Sequence, residues 1–415
     1  MDIPVEETGR RARSAARALA LLDTEEKNRA LEIMAKAIIE SSSFIQGENG
    51  KDLEAGRKNG LTDAMLDRLR LDAKGVEGMA KGIRDIIALP DPVGRVYDEI
   101  VRPNGLKVHK VRIPIGVFGI IYESRPNVTA DASALCIKSG NAVILRGGSE
   151  AFNSNLAIVK VLSDSLSKAG ITSDAIQFIA TTDREAVLSM LKLNRYIDVI
   201  IPRGGPGLIK FVSENSTIPV VKHDAGVCSV YVDEGAPFET ARDIVINSKT
   251  QRPGVCNAAE KLIVHSAWRA NLPKLLDALA EKGVEIRGDS RVCELYAKAK
   301  PATEKDWTEE YLSLVISAKM VDSMEEAVDH IEEYGSHHTD SIVTPSKERG
   351  EKFVRAVDSS AVMVNASTRF NDGGEFGLGA EMGISTQKLH VRGPMGLEEL
   401  TTYKYVAVGE GHVRR

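Results

Sequence analysis

The stretch IPIGVFGIIY (Ile113–Tyr122) decides the fold class. It is apolar almost throughout, but it has only about half of the ~20 residues that a membrane-spanning helix needs. It therefore predicts a strand that is buried on both faces of a sheet. From Ile115 onward, such strands alternate with helical segments: GVFGIIY, AVILR, AIQFIA, IDVIIP, IPVV and CSVYV. This alternation predicts an α/β protein with a parallel sheet that helices cover on both faces.

A second alternating series begins after Cys256. Its predicted strands are KLIVH, VEIRG, SLVISAKM, SIVT and AVMVNA. Two open, Rossmann-like α/β domains with a cleft between them are therefore expected. Such folds bind ligands beyond the carboxyl ends of their strands.

The residues before these series predict helices followed by a β-hairpin. Asp23 and Glu26 have the spacing of a capping box at a helix start. The polar runs RVYDEIV and LKVHKVRI, joined by RPNG, predict a hairpin at about residues 95–114. Because free strand edges are usually covered, we expect this hairpin to pair with another subunit.

Charge and cysteine usage narrow the class of protein. The 415-residue chain has a net charge of -5, which argues against nucleic acid and membrane surfaces as partners. The start MDIPVEETGRR lacks the apolar core of a signal peptide. The four cysteines form no Cys-x-x-Cys pair and match no histidine spacing, so we expect no metal site and a cytoplasmic location. Three of them are in ordinary core or helix settings: Cys136, Cys228 and Cys293.

Two glycine pairs stand between a predicted strand and a predicted helix. They are LRGGS (Leu145–Ser149) and PRGGPG (Pro202–Gly207). Unobstructed amides at a helix N-terminus attract phosphate, and Arg146 and Arg203 add positive charge. The alternative is that the glycines only make tight turns. Two such turns at corresponding strand ends favour a dinucleotide site.

Cys256 lies in KTQRPGVCNAAEK (Lys249–Lys261), just after a Pro-Gly turn. The following NAAEK predicts a helical turn, whose dipole would lower the pKa of the thiol. Lys249 and Arg252 supply nearby cations. From these features alone, a nucleophile and a buried core thiol remain equal alternatives.

Six long segments together resemble one protein family: GIIYESRPNVT, LRGGSEAFNSN, PRGGPGLI, KTQRPGVCNAAEKL, VNASTRFNDGGEFGLGAEMGISTQ and RGPMGLEELTTYKYV. The family is the gamma-glutamyl phosphate reductases of proline biosynthesis, in the aldehyde dehydrogenase superfamily. The resemblance covers nearly the full chain and implies an aldehyde dehydrogenase-like fold. It implies an NADP(H)-binding domain over residues 1–245, a catalytic domain over 246–365, and a C-terminal segment over 366–415. That last segment would complete the cofactor domain and an oligomerisation element.

The resemblance also implies an activity, the NADPH-dependent reduction of L-glutamate 5-phosphate to L-glutamate 5-semialdehyde through a thioester on Cys256. Asn127, in SRPNVT, corresponds to the family asparagine that joins the backbone N–H of the cysteine as an oxyanion hole. Its position after Pro126 would also suit a helix cap.

The cofactor residues follow from the same resemblance. Arg146 replaces a lysine that the wider superfamily places near the adenosine ribose, and with Ser149 it implies a 2′-phosphate site that favours NADPH. Gly204 and Gly205 resemble the turn that faces the pyrophosphate. The full set is Arg146, Gly147, Gly148, Ser149, Gly204 and Gly205.

A substrate with a phosphate and a carboxylate needs cationic partners. Arg125, Arg252 and Arg369 lie inside the resembling segments, and planar guanidinium groups suit both anions. For each arginine the alternative is ordinary structural pairing.

One departure from the wider superfamily concerns the glutamate that activates water in hydrolytic members. The corresponding segment is VVKHDAGVCSVYV, with Lys222 or His223 at that place and Asp224 next to them. A reductase delivers hydride rather than hydroxide, so this departure fits reduction.

Two rival functions are an oxidising superfamily member, which needs a general base near Cys256, and a non-catalytic paralogue that binds a partner. The resemblance further implies a homo-oligomer, built with the hairpin and the final strand YKYVAV, and a transient contact with glutamate 5-kinase.

Overall fold

The computed structural model describes residues 4–222 and 225–414. Internal contacts divide the chain into two compact units. The first contains residues 4–222, 377–383 and 395–414, and the second contains residues 225–376 and 384–394.

The first unit opens with a layer of helices: α1 (Val5–Leu19), α2 (Thr24–Glu40), α3 (Ser42–Lys58), α4 (Asp63–Leu69) and α5 (Ala73–Ala88). The predicted capping box starts α2, because the Asp23 side chain accepts from the Glu26 amide and the Glu26 side chain accepts from the Asp23 amide. Such reciprocal bonds satisfy two donors that a helix start leaves unpaired.

A four-stranded parallel sheet follows, in the order β5-β4-β3-β6. Every residue of β3 is buried, as predicted for this stretch. The chain direction across the sheet reverses at β3, which makes the carboxyl end of β3 the expected ligand position. The elements are β3 (Val117–Tyr122), α6 (Asn127–Lys138), β4 (Ala142–Gly147), α7 (Phe152–Lys168), β5 (Ile176–Phe178), α8 (Arg184–Met190), β6 (Val199–Arg203) and α9 (Pro206–Asn215).

A three-stranded antiparallel sheet completes the first unit. The predicted hairpin, β1 (Val96–Val101) and β2 (Lys107–Pro114), pairs with the C-terminal strand β16 (Thr401–Val408). The pairing between β2 and β16 runs from Thr401 opposite Pro114 to Val408 opposite Lys107.

The second unit is built on a seven-stranded sheet in the order β10-β9-β11-β8-β7-β12-β13, in which neighbouring strands are parallel. Its first elements are β7 (Cys228–Val232), α10 (Phe238–Thr250), β8 (Ala259–His265), α11 (Leu272–Glu281), β9 (Glu285–Gly288), α12 (Ser290–Leu295), β10 (Lys300–Pro301) and α13 (Glu304–Thr308). The remaining elements are β11 (Val315–Val321), α14 (Met324–Tyr334), β12 (Thr339–Val343), α15 (Lys347–Ala356), β13 (Ala361–Val364) and the short pair β14 (Ile384–Ser385) and β15 (Gly393–Pro394).

The compact units differ from the predicted domain boundaries. The first continuous stretch ends at Lys222 instead of residue 245, because CSVYV forms β7 and pairs with β8 and β12 in the second sheet. The second unit also extends beyond residue 365, through residue 376. The predicted strand IPVV contributes only an isolated bridge between Val220 and Ile200.

In the described part of the chain, no helix is long and apolar enough to cross a membrane. Among those same residues, no group of three or more His, Cys, Asp or Glu side chains is placed to hold a metal ion.

Candidate active site

A cavity of about 860 Å³ lies in the first unit, at the carboxyl ends of β3 and β4. Residues from the first glycine turn line it, among them Arg146, Gly148 and Ser149. Glu123 and Ser124 contribute from the end of β3. The cavity therefore lies where strand order reverses, the position that open α/β sheets use for ligands.

Arg146 brings a partly unsatisfied cation to this cavity. Its Nη2 donates to the carbonyl oxygen of Thr182 at 3.2 Å. Its Nε is buried and has no hydrogen-bond partner among the residues that the structure describes. Burial lowers the pKa of Arg146, and Glu150 raises it. A half-buried guanidinium with an unused donor fits the anionic end of a ligand.

The first glycine turn packs against the carboxylate of Glu150. A Cβ at Gly148 would overlap the carboxylate of Glu150, so a larger residue here would displace that side chain. Glu150 in turn accepts hydrogen bonds from the backbone amide of Ser124 at 2.6 Å and from its hydroxyl at 2.9 Å. The carboxylate thus joins the end of β3 to the turn after β4. At Gly147, a Cβ would overlap the side chain of Asn155.

The second glycine turn has the same construction. A Cβ at Gly204 would overlap Glu123, and the Gly205 amide donates to Glu123 Oε2 at 2.9 Å. The expectation of an unobstructed amide is therefore wrong for Gly205. A carboxylate stands at the N-terminus of α9, where the dipole favours negative charge.

Asn127 is the first residue of α6, while the helix cap is Pro126. The capping alternative is thus not what the structure shows. The Asn127 amide nitrogen instead donates to Asp131 Oδ2 at 3.1 Å. Asn127 and Arg125 are both exposed, and both lie in the segment between β3 and the start of α6.

Cys256 lies in the second unit, in the loop between α10 and β8. Because β8 starts at Ala259, the predicted helical turn after the cysteine is wrong, and no helix begins there whose dipole could act on the thiol. The Cys228 thiol donates to the Cys256 carbonyl oxygen at 3.2 Å. A Cβ at Gly226 would overlap that same backbone. These contacts fix the backbone that carries the half-buried thiol.

Arg369, which lies far from this loop in the sequence, donates hydrogen bonds to residues on both sides of Cys256. Its Nε donates to Gln251 Oε1 at 2.8 Å, and its Nη1 donates to Asn257 Oδ1. Burial is the main reason that the pKa of Arg369 is lowered. Arg252 lowers this pKa further, whereas Asp372 and Cys256 raise it. Within the second unit, Arg369 thus interacts electrostatically with both Cys256 and Arg252.

Lys249 has a different role from the one predicted. Its ammonium group lies 2.7 Å from Glu260 Oε2, and both side chains are 0% exposed. Burial lowers the pKa of Lys249 and raises that of Glu260. The charge of Lys249 is therefore matched inside the core. Glu260 was not predicted as part of the site, although the adjacent charges of Glu260 and Lys261 at the start of the apolar run EKLIVH are a signal for it.

The predicted residues thus separate by unit. The first unit holds Arg125, Asn127, Arg146, Gly147, Gly148, Ser149, Gly204 and Gly205, and the second holds Arg252, Cys256 and Arg369. Lys222 ends the first described stretch, and His223 and Asp224 lie outside the described residues.

The similarity of this chain to known proteins shows the family to which it belongs. The aldehyde dehydrogenase family model matches residues 4–290. The chain belongs to this family of oxidoreductases, and the predicted aldehyde dehydrogenase-like α/β fold is confirmed. An acetylating aldehyde dehydrogenase from Geobacillus thermoglucosidasius shares the fold, with a TM-score of 0.71 at 18% identity over 99% of this chain and 97% of that one.

Closer relatives define the branch. A gamma-glutamyl phosphate reductase from Thermoanaerobacter sp. (strain X514) is 55% identical over 99% of this chain and 100% of its own length. One from Geobacter metallireducens is 55% identical over 97% of both chains. The crystal structure of the Thermotoga maritima gamma-glutamyl phosphate reductase covers 100% of both chains, with a TM-score of 0.98 and 47% identity. Within the aldehyde dehydrogenase family, the chain belongs to the gamma-glutamyl phosphate reductases.

Proposed function

We propose that this chain reduces L-glutamate 5-phosphate to L-glutamate 5-semialdehyde and phosphate with NADPH, the second step of proline biosynthesis from glutamate. The observation that carries the proposal is the setting of Cys256. Its thiol is half-buried on a fixed backbone, and the positive charge of Arg369 interacts with it, with Arg252 close to Arg369. The similarity to gamma-glutamyl phosphate reductases over 99% of the chain supports the choice of substrate.

In the proposed reaction, the Cys256 thiolate attacks the carbonyl carbon of the acyl phosphate. The C–S bond forms, the C–O bond to phosphate breaks, and a thioester remains on the enzyme. A thiolate suits this role because it is a good nucleophile and a good leaving group. Arg252 and Arg369 favour the thiolate and attract the substrate anions, and Arg125 is a further candidate for binding these anions.

Reduction then requires the cavity of the first unit. NADPH, when bound there, supplies the hydride. Arg146 and Ser149 would hold its 2′-phosphate, and the orphaned Arg146 Nε is the donor that such an anion satisfies. The first glycine turn lines this cavity, whereas the Gly205 amide of the second turn is already bonded to Glu123. Asn127 would donate to the oxyanion that forms as the thioester carbon becomes tetrahedral, before this species expels the Cys256 thiolate and releases the aldehyde.

We also propose that the antiparallel sheet joins two copies of the chain. Tyr405 and Val408 on β16 are exposed, as is Val101 on β1. Lys110 lies 4.7 Å from the ring centre of Tyr403 on the same sheet. Apolar and aromatic side chains at an open sheet are suited to strand pairing or packing between subunits. Contact with glutamate 5-kinase stays a prediction.

The reaction is tested in reverse, with pyrroline-5-carboxylate, phosphate and NADP⁺, by the absorbance of NADPH. We expect NADPH formation that depends on phosphate and is lost in Cys256→Ala. Cys293→Ala is the matched control, because Cys293 is also a half-buried thiol of the second unit but lies in α12. It should keep its activity. Turnover without phosphate would instead show an oxidising, hydrolytic enzyme, and no turnover under any condition would favour a binding role.

A further inference from the structure

We propose that Asp131 is a positioning residue, which holds the side-chain amide of Asn127 in the orientation that serves the oxyanion. This inference rests on the proposed function, in which Asn127 is an oxyanion donor. Neither the resemblance nor the relatives assign a role to Asp131.

The geometry is one turn of α6. Asn127 and Asp131 are four residues apart, so their side chains share one face of the helix. Asn127 Nδ2 donates to Asp131 Oδ2 at 3.1 Å. The exposed amide of Asn127 is thereby anchored to a less exposed carboxylate.

The carboxylate itself is held from neighbouring elements of the first unit. A Cβ at Gly82, on α5, would lie 3.4 Å from Asp131 Oδ1, so this helix passes close to it. The positive charge of Arg203, at the end of β6, interacts with the Asp131 carboxylate. Arg203 offsets the negative charge that Asp131 would otherwise place near a developing oxyanion.

A carboxylate selects one of the two amide orientations. In the observed orientation, Nδ2 gives one N–H to Asp131 and keeps its second N–H for the oxyanion. In the flipped orientation, the amide oxygen would face the carboxylate oxygen, two acceptors without a proton between them. The flipped amide would also present an oxygen to the oxyanion. Asp131 therefore favours the productive orientation only while it is ionised.

This dependence on ionisation predicts an acid limb in the activity profile. Burial raises the pKa of Asp131 to about 6, although Asn127 and Arg203 lower it. Below this pKa the carboxyl group is protonated and can donate to the amide oxygen, which stabilises the flipped orientation. The kcat should thus fall as the pH decreases through about 6.

The experiment is a double-mutant cycle in the reverse assay. Asp131→Ala removes the partner of the Asn127 amide, so the Asn127 side chain can rotate. We expect kcat to fall about 3- to 10-fold while the KM for NADP⁺ is unchanged. In an Asn127→Ala background, Asp131→Ala should cause no further loss, because the group that it positions is absent. Asp131→Asn keeps the size of the side chain and should remove the acid limb near pH 6.

The outcomes separate this inference from the reaction itself. An equal loss from Asp131→Ala in both backgrounds, or an acid limb that persists in Asp131→Asn, would overturn the positioning role. If Asn127→Ala leaves kcat unchanged while wild type keeps phosphate-dependent turnover, the reaction stands and the role of Asp131 falls. Absence of phosphate-dependent turnover in wild type would refute the proposed function. Should Asp131→Ala not fold, the pH profile of Asp131→Asn decides alone.

Discussion

The two α/β units present their chemistry at different ends of their own strands. In the first unit, the cavity lies at the carboxyl ends of β3 and β4, where the helices that follow the strands begin. In the second unit, Cys256 precedes the amino end of β8, and the helix before it, α10, has already ended at Thr250. The carboxyl-end rule for open α/β sheets therefore describes the first unit and not the position of the thiol.

This difference changes how each site handles charge. At strand carboxyl ends, backbone amides of helix starts gather, and internal carboxylates such as Glu123 can occupy them. At the amino end of β8, no helix begins, so charged side chains must supply the electrostatic field that acts on the thiol. Arg369 does so while it is hydrogen-bonded to Gln251, close to the loop that carries Cys256. The two members of the buried pair, Lys249 and Glu260, flank Cys256 in the sequence. The first site thus combines backbone amides with side-chain charges, whereas the second depends on side-chain charges.

The largest effect is expected from breaking the buried pair. Lys249→Met leaves the Glu260 carboxylate buried without its cation, which typically costs about 3–5 kcal/mol. Hydrogen exchange of the β8 amides should report this loss as faster opening of the strand.

Two controls sharpen this test. Lys249→Met combined with Glu260→Leu removes both charges and should recover most of the protection. Lys298→Met breaks an exposed pair of the same unit, Lys298 with Asp277 at 2.8 Å, and should cost less than about 1 kcal/mol. If Lys249→Met alone leaves β8 fully protected, the pair does not stabilise the second site.

A smaller effect is expected at the first site from Arg146→Ala. Loss of a charge-assisted bond to the 2′-phosphate should raise the KM for NADPH about 10- to 100-fold and leave that for NADH nearly unchanged. Arg17→Ala, on α1 of the same unit and outside the residues that line the cavity, is the control. Equal losses for both cofactors would argue that Arg146 only supports the turn through Thr182.

The smallest effect is expected from Glu123→Gln. The glutamine oxygen can still accept from the Gly205 amide, but the negative charge at the start of α9 is gone. NADPH should then bind about 2- to 5-fold more tightly in a calorimetric titration, as expected for one charge at a helix end. Weaker binding would mean that ionised Glu123 is needed to shape the turn.

Local patterns predicted the fold well. Residues close together in the sequence determine three features: the uninterrupted apolar run of β3, the capping box of Asp23 and Glu26, and the hairpin that ends at Pro114. The compact unit ends at Lys222, before the predicted boundary at residue 245, and the sequence could not show this because CSVYV has the same local pattern as the strands before it. Which sheet a strand joins depends on distant partners, here β8 and β12.

The site was less predictable for the same physical reason. NAAEK has good helix propensity, yet pairing of β8 with β7 and β11 makes its last three residues, 259–261, the start of a strand. Lys249 is predicted as a cation near the thiol but pairs with Glu260, because a sequence does not show which of several charges will be paired in the core. Glu123 acquires its role only from the distant Gly205 amide that the fold places beside it. Asp131, by contrast, follows Asn127 by one helical turn, so its contact could have been predicted from the spacing.

The central claim, a thioester on Cys256 that phosphate resolves, is tested most directly by a burst experiment. Wild-type enzyme is mixed with NADP⁺ and glutamate 5-semialdehyde without phosphate, and NADPH is followed rapidly. We expect a burst of about one NADPH per active thiol that then stops, because the thioester has no acceptor, and steady turnover once phosphate is added. Continuous turnover without phosphate, or phosphate-dependent turnover in Cys256→Ala, would contradict the account.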